Sequence, residues 1–184
     1  MRENVSKFMS KATKFYEQNK DYILNQFSHR GDLISLELDS QRLAKDFDLK
    51  AGIDYVYINN VFNELYGVAA RVNFANVTKG HLTIRFKRKT GTDTEYKKRI
   101  KSIHGNSMYP AITMQIDSDN GSPGNGIIVM TKELYLFIEE NFNEIQESYL
   151  NECREGNQYL SIPYQFIQQN LQDYCKIFDC RKAA

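Results

Sequence analysis

Between Arg85 and Lys101 the chain reads RFKRKTGTDTEYKKRIK, and eight of its 24 Lys and Arg residues fall in these 17 positions. Only Asp93 and Glu95 offset them, and Thr90-Gly91-Thr92-Asp93 supplies a turn. The segment is therefore predicted to be a long basic β-hairpin. Phe86, Tyr96 and Ile100 interleave with the charges, as expected of a ribbon whose cations reach phosphates while apolar side chains anchor it to its own core. Arg85, Lys87, Arg88, Lys89, Lys97, Lys98, Arg99 and Lys101 are the candidate nucleic-acid-binding residues. No catalytic signature elsewhere is as strong, so the chain reads as a binding protein.

The charge is unevenly spread. Residues 1–104 hold 19 Lys and Arg against 12 Asp and Glu, a balance of +7, whereas residues 105–184 hold 5 against 11, a balance of −6. The overall +1 hides this polarity. A basic half attracts nucleic acid, and an acidic half repels it, mimics it or meets a basic groove on another protein; a solvated face for each is the plain alternative. A boundary at Gly105–Pro110 would divide the chain into a basic region, 1–104, and an acidic α+β region, 105–184, which can also pack as one domain.

At 184 residues with 41% hydrophobic content, the chain can bury a substantial core. No apolar run approaches the ~18 residues of a membrane span, and no apolar leader opens the sequence, so a cytoplasmic location in a host cell and no membrane partner are expected. Cys153, Cys175 and Cys180 are odd in number and no histidine follows His104, which argues against a disulfide framework and against a Cys/His zinc site.

Along the first half, Val5, Phe8, Ala12, Phe15, Ile23 and Phe27 recur at helical spacing, with Lys7, Lys11 and Lys14 on a polar side. A strand over Leu33–Leu38 follows. Ser40 opens a predicted helix through Phe47, and Tyr55–Tyr66 is predicted as a second helix, with Ile58, Val61, Phe62 and Leu65 inward and Gly67 as its C-cap. Ala70, Val72 and Phe74 alternate with Arg71 and Asn73, and Leu82, Ile84 and Phe86 alternate on a return strand after a turn at 76–80. This order, with LAKDFDLKAGIDYVYINNVFNEL at its centre, resembles winged-helix DNA-binding domains over residues 3–88. The resemblance implies a DNA-binding transcription or replication regulator. The helix matching the family's recognition helix offers Asp54, Tyr57, Asn59, Asn60, Asn63 and Glu64 and no cation.

In the second half, Ala111–Ile116 and Ile127–Met130 read as strands of a second hairpin, and two C-terminal helices complete an α+β chain. Residues 117–126 open with Asp117-x-Asp119 but have Gly121, Ser122 and Ile128 where a calcium loop needs a ligand, a glycine and a carboxylate, so they read as turn chemistry without metal. A helix capped by Thr131 places Glu139, Glu140, Glu144 and Glu147 on its outer face, the candidate partner-binding residues. Ser161 and Pro163 start the last helix, with Phe166, Ile167, Leu171, Tyr174 and Phe178 as its core side.

Enzymatic readings find little purchase. Glu95-Tyr96-Lys97 matches the Glu-x-Lys half of a metal-dependent nuclease site, but nothing acidic lies between Glu64 and Asp93 to complete it. His29, His81 and His104 have no motif partners, and no cofactor or metal motif is present. The pairing of RFKRKTGTDTEYKKRIK with the acidic EENFNEIQESYLNE, in a small motif-poor α+β chain, is similar to anti-CRISPR proteins, which inhibit type II RNA-guided DNA nucleases. That resemblance implies a non-enzymatic counter-defence protein from a phage or mobile element, whose partners are a type II CRISPR effector with its guide RNA and a DNA or RNA backbone. It assigns no residue a role.

Overall fold

The computed structural model describes residues 11–36, 47, 51–153 and 155–179. Helical turns over 11–18 and α1 (Lys20–Leu24) lead into β1 (Gly31–Ser35). After it come β2 (Tyr55–Asn59), β3 (Glu64–Asn73), β4 (His81–Lys87), α2 (Glu95–His104), β5 (Ile112–Asp119) and β6 (Ser122–Met130). The chain continues with α3 (Thr131–Glu140), α4 (Phe142–Tyr149), β7 (Leu150–Glu152), β8 (Gln158–Pro163), α5 (Tyr164–Asn170) and β9 (Cys175–Asp179).

Among the described residues, six strands form one sheet in the order β1-β2-β3-β5-β6-β9, and three form a second in the order β4-β8-β7. The α+β class is as expected. Both sheets mix strands from either side of Gly105–Pro110, since β3 runs parallel to β5 and β4 pairs antiparallel with β8. The basic and acidic regions therefore share their hydrogen-bonded layers.

Each face of the large sheet has its own core. Val68, Ile112, Met114, Ile116 and Phe178 pack against Phe15, Tyr16 and Ile23 from the N-terminal helices. On the opposite face Ile127 and Val129 join Leu82, Ile84, Leu160 and Ile162 of the small sheet and Leu134, Tyr135, Ile138 and Ile145 of α3 and α4. Apolar residues from elements far apart in sequence thus leave water together, the main stabilising term of such a fold.

Five expectations need correction. Residues 55–66 are not a helix. Tyr55, Tyr57 and Asn59 are buried while Val56 and Ile58 are half-buried, a period-two pattern that pairs Tyr55–Asn59 with Glu64–Val68. Ile58, Val61, Phe62 and Leu65 satisfy helical spacing equally well, but strand pairing wins; Asn63 at φ 58° turns the chain and Gly67, expected as a helix cap, lies inside β3. Residues 55–66 therefore do not form the recognition helix of a winged helix. The predicted helix over 40–47 lies outside the described residues except for Phe47.

The basic segment is not a hairpin either. Its first limb ends β4, and its second is α2, where Tyr96, Arg99 and Ile103 are buried at helical spacing. Likewise β3 and β4 do not pair with each other but lie in different sheets. Finally, the long C-terminal helices are interrupted. Asn141 separates α3 from α4, its backbone N–H and side-chain amide both donating to the Phe137 carbonyl, and Phe178 is buried in a strand instead of a helix. The turn at 117–126 is tighter than expected, with Asn120 and Gly121, both at positive φ, joining β5 to β6.

Side chains bridge the two sheets where backbone pairing stops. Gln115 on β5 accepts from the Thr83 N–H at 3.0 Å and the Thr83 hydroxyl at 2.9 Å, and its amide donates to the His81 carbonyl at 2.6 Å. Asp117 accepts from the Gly80 N–H, the Asn73 amide and the Tyr164 hydroxyl. Burial pushes the Asp117 carboxyl up, and these donors pull against that shift.

Candidate polyanion-binding surface

β4 runs from the small sheet out to Lys87, and a turn returns the chain into α2. Thr94, extended at the N-cap, donates its hydroxyl to the Phe86 carbonyl at 2.9 Å and closes this turn across eight residues. Gly91, at φ 72°, donates to the Arg88 carbonyl, and the Lys89 N–H reaches the Asn157 side-chain oxygen at 3.3 Å. Beneath the turn, Phe86, Tyr96 and Phe142 pack with ring centroids 5.5 to 5.9 Å apart. The apolar residues interleaved with the charges do anchor the segment, as the sequence pattern implied.

The first turn of α2 is also pinned electrostatically. Glu95 accepts from the Arg71 guanidinium and from the Tyr135 hydroxyl at 3.2 Å, and Arg71 donates to the Thr83 carbonyl at 2.6 Å. Burial alone would lower the Arg71 pKa, but the Glu95 carboxylate beside it raises it above its ordinary value. Helix, large sheet and small sheet are therefore locked together at one point. Sequence reading weighed Asp117 only as part of a calcium loop, placed Arg71 on the polar side of a strand and passed over Gln115; a cation and a carboxamide at inward strand positions were the available signal.

All eight candidate cations lie on this turn-and-helix unit or its approach, but one of them points inward. Lys87 and Lys89 are exposed beside half-buried Arg88, and Lys97, Lys98 and Lys101 are exposed on the helix side opposite Tyr96 and Ile103. Arg85 sits 5.8 Å from the centre of the Tyr159 ring, a loose cation–π contact. Arg99 is 7% exposed and turns inward, donating to the Ala51 and Gly52 carbonyls, so it holds the fold and cannot reach a phosphate. None of the five exposed lysines forms an ion pair among the described residues.

Glu95 and Lys97 do not converge. Two positions on a helix lie about 200° apart, which puts the carboxylate in the Arg71 pair and the ammonium in solvent. Among the described residues no group of three or more His, Cys, Asp or Glu side chains could hold a metal ion.

The acidic residues lie next to the basic helix. Glu139 on α3 pairs with His104 at the end of α2, 2.8 Å apart, while Glu140 on α3 and Glu144 and Glu147 on α4 are exposed. The bend at Asn141 splits the expected single ladder into two short ones. No helix among the described residues is long and apolar enough to cross a membrane. Neither a protein-family search, a search of curated proteins nor a search of solved structures finds a match to this chain.

Proposed function

We propose that this chain is a non-enzymatic binding protein that meets a nucleic-acid backbone with the 87–89 turn and α2, and that it acts as an inhibitor of an RNA-guided DNA nuclease. The observation that carries the reading is five exposed lysines without ion-pair partners among the described residues, on a unit held rigid by Glu95, Thr94 and the aromatic cluster below. A preorganised scaffold spares the cost of ordering the backbone, and its unpaired surface cations release condensed counterions when they meet phosphates.

The neighbouring carboxylates favour a protein–nucleic acid assembly over naked nucleic acid. Glu140, Glu144 and Glu147 would be repelled by a phosphate backbone, but a nuclease with an RNA-filled channel offers phosphates and basic protein surface side by side. An RNA-guided effector of type II is the partner to test, with and without guide RNA, in a DNA-cleavage assay. Inhibition by the wild type, reduced at least tenfold in a Lys97→Gln, Lys98→Gln, Lys101→Gln triple variant, is the expected result. Sequence-selective shifting of duplex DNA by the protein alone, with no effect on the effector, would replace this reading by that of a DNA-binding regulator.

A further inference from the structure

On the other side of the large sheet, away from the basic helix, a cleft of about 310 Å³ opens between the end of the N-terminal helical region and β9. Its floor is apolar, made by Ile112, Ile128 and Met130. Its wall is a ladder of rings. Phe27 stacks on Tyr57 at 4.2 Å and 19°, and Tyr57 faces Tyr66 at 6.3 Å and 25°. The Tyr57 hydroxyl donates to the His29 carbonyl at 2.7 Å, which fixes the middle ring. Tyr174, half exposed, stands at the mouth in a single helical turn, Gln172–Tyr174.

The polar groups around this apolar slot are few and complementary to one kind of ligand. Asn59 is 3% exposed, and its side-chain oxygen accepts from the Val61 and Phe62 N–H groups at 3.1 and 3.3 Å. That leaves its NH2 without a partner among the described residues, in the lining of the cleft. Lys176 spends one proton on the Gln26 carbonyl at 2.7 Å and keeps two for an anion. Asp173 adds an acceptor at the mouth. A second cleft, of about 600 Å³, shares Phe27, Ser28 and His29 with the first and extends to Arg30.

We infer that this cleft binds a nucleotide, with the base between the ring ladder and Tyr174 and the phosphate toward Lys176. A flat heteroaromatic ring matches the stacked wall, and stacking tolerates any base because every base presents a π-face. The Asn59 NH2 offers a donor to a ring nitrogen or carbonyl, and Asp173 offers an acceptor to an exocyclic amine or a ribose hydroxyl. Apolar floor, aromatic wall and a few oriented polar groups in a space of this size are the usual composition of a small-ligand site. The site is independent of the lysine surface on α2.

The same chemistry could be presented by a free mononucleotide or by a splayed base of single-stranded nucleic acid. Calorimetric titration of the whole protein with adenosine, its 5′-monophosphate, ribose 5-phosphate and a six-nucleotide single strand separates these sources. The expected result is saturable binding of the monophosphate, at least tenfold tighter than ribose 5-phosphate. Tyr174→Ala, at an exposed position, is expected to weaken it at least fivefold. Lys176→Gln is expected to weaken the monophosphate and leave adenosine unchanged. Tighter binding of the hexanucleotide than of the monophosphate, still lost in Tyr174→Ala, assigns the cleft to strand binding. The triple lysine variant of α2 should bind the monophosphate as the wild type does. Absence of saturation by both the monophosphate and the strand, or equal binding by wild type and Tyr174→Ala, overturns the inference; an effect of the α2 variant alone places binding on the other surface.

Discussion

Glu95, the first residue of the basic helix, is held by Arg71 from the middle of the large sheet, and this pair sets where the lysines of α2 stand. The Glu95 side chain is 14% exposed and that of Arg71 34%, so water screens the pair only in part. Replacing Glu95 by Gln leaves Arg71 short of its charge partner, and urea titration is expected to show a loss of about 1–3 kcal/mol, below the ~3–5 of a fully buried pair. An Arg71→Met, Glu95→Gln double variant should be more stable than the two single losses added together. Strict additivity would mean that the two groups do not couple.

Buried tyrosines make the fold sensitive to alkali. Tyr96 is pushed up to about 12 by burial, with the nearby Glu139 charge adding to it, and burial also raises Tyr16, Tyr135 and Tyr164. The unfolded chain releases these protons near pH 10 while the folded chain retains them. Between the two the unfolded state binds fewer protons, so stability falls as pH rises, by up to about 1.4 kcal/mol per pH unit for each such tyrosine. With 12 tyrosines and no tryptophan, ultraviolet absorbance reports ionisation cleanly. A subset should titrate only together with loss of the folded circular dichroism signal, and Tyr96→Phe should make the stability decline shallower. Independent titration of all 12 near pH 10 in the folded protein would contradict this.

Gly126 on β6 lies under Phe178 of the edge strand β9. A Cβ at this position would stand 2.3 Å from the Phe178 ring and 2.9 Å from the Gln115 carbonyl oxygen. Gly126→Ala is expected to cost about 1–3 kcal/mol through forced displacement of that ring. Adding Phe178→Leu, which shortens the obstructing side chain, should recover part of the loss measured by thermal unfolding; a deeper loss would show that the carbonyl contact dominates.

Glu140, Glu144 and Glu147 are exposed and Glu139 is occupied by His104. Changing only the three exposed residues to Gln is expected to alter stability by less than about 0.5 kcal/mol, as for surface sites generally. Under the proposed function it should slow association with the effector several-fold at low salt, with the difference fading as the ionic strength rises. Stopped-flow rates that are equal at every salt concentration would leave these carboxylates as a solvated face.

Much of the local structure was legible in the chain. Alternation at Leu82, Ile84 and Phe86 identified a strand, because period two is the direct imprint of one buried face; Ala111–Ile116 was also read as a strand, and the structure buries both of its faces. Tyr55–Tyr66 was not legible. Its apolar residues fit both periods, and the choice of strand depended on β1 and β3 being present to pair with β2 on either side. The basic segment likewise carried both patterns, since Tyr96 and Ile100 share a face in a strand and in a helix.

The site divided in the same way. By itself the sequence determined that residues 85–101 would present a cluster of cations anchored by Phe86 and Tyr96, because that much charge and that much aromatic surface cannot exchange places. Only the tertiary structure decided that Arg99 points inward to the Ala51 and Gly52 carbonyls, that Glu95 serves Arg71 and not a metal, and that Phe27, Tyr57 and Tyr66 line one cleft. Those relationships join residues separated by 9 to 48 positions, and no local periodicity encodes such distances; they arise when two sheets bury their faces and every inward polar group has to find a partner.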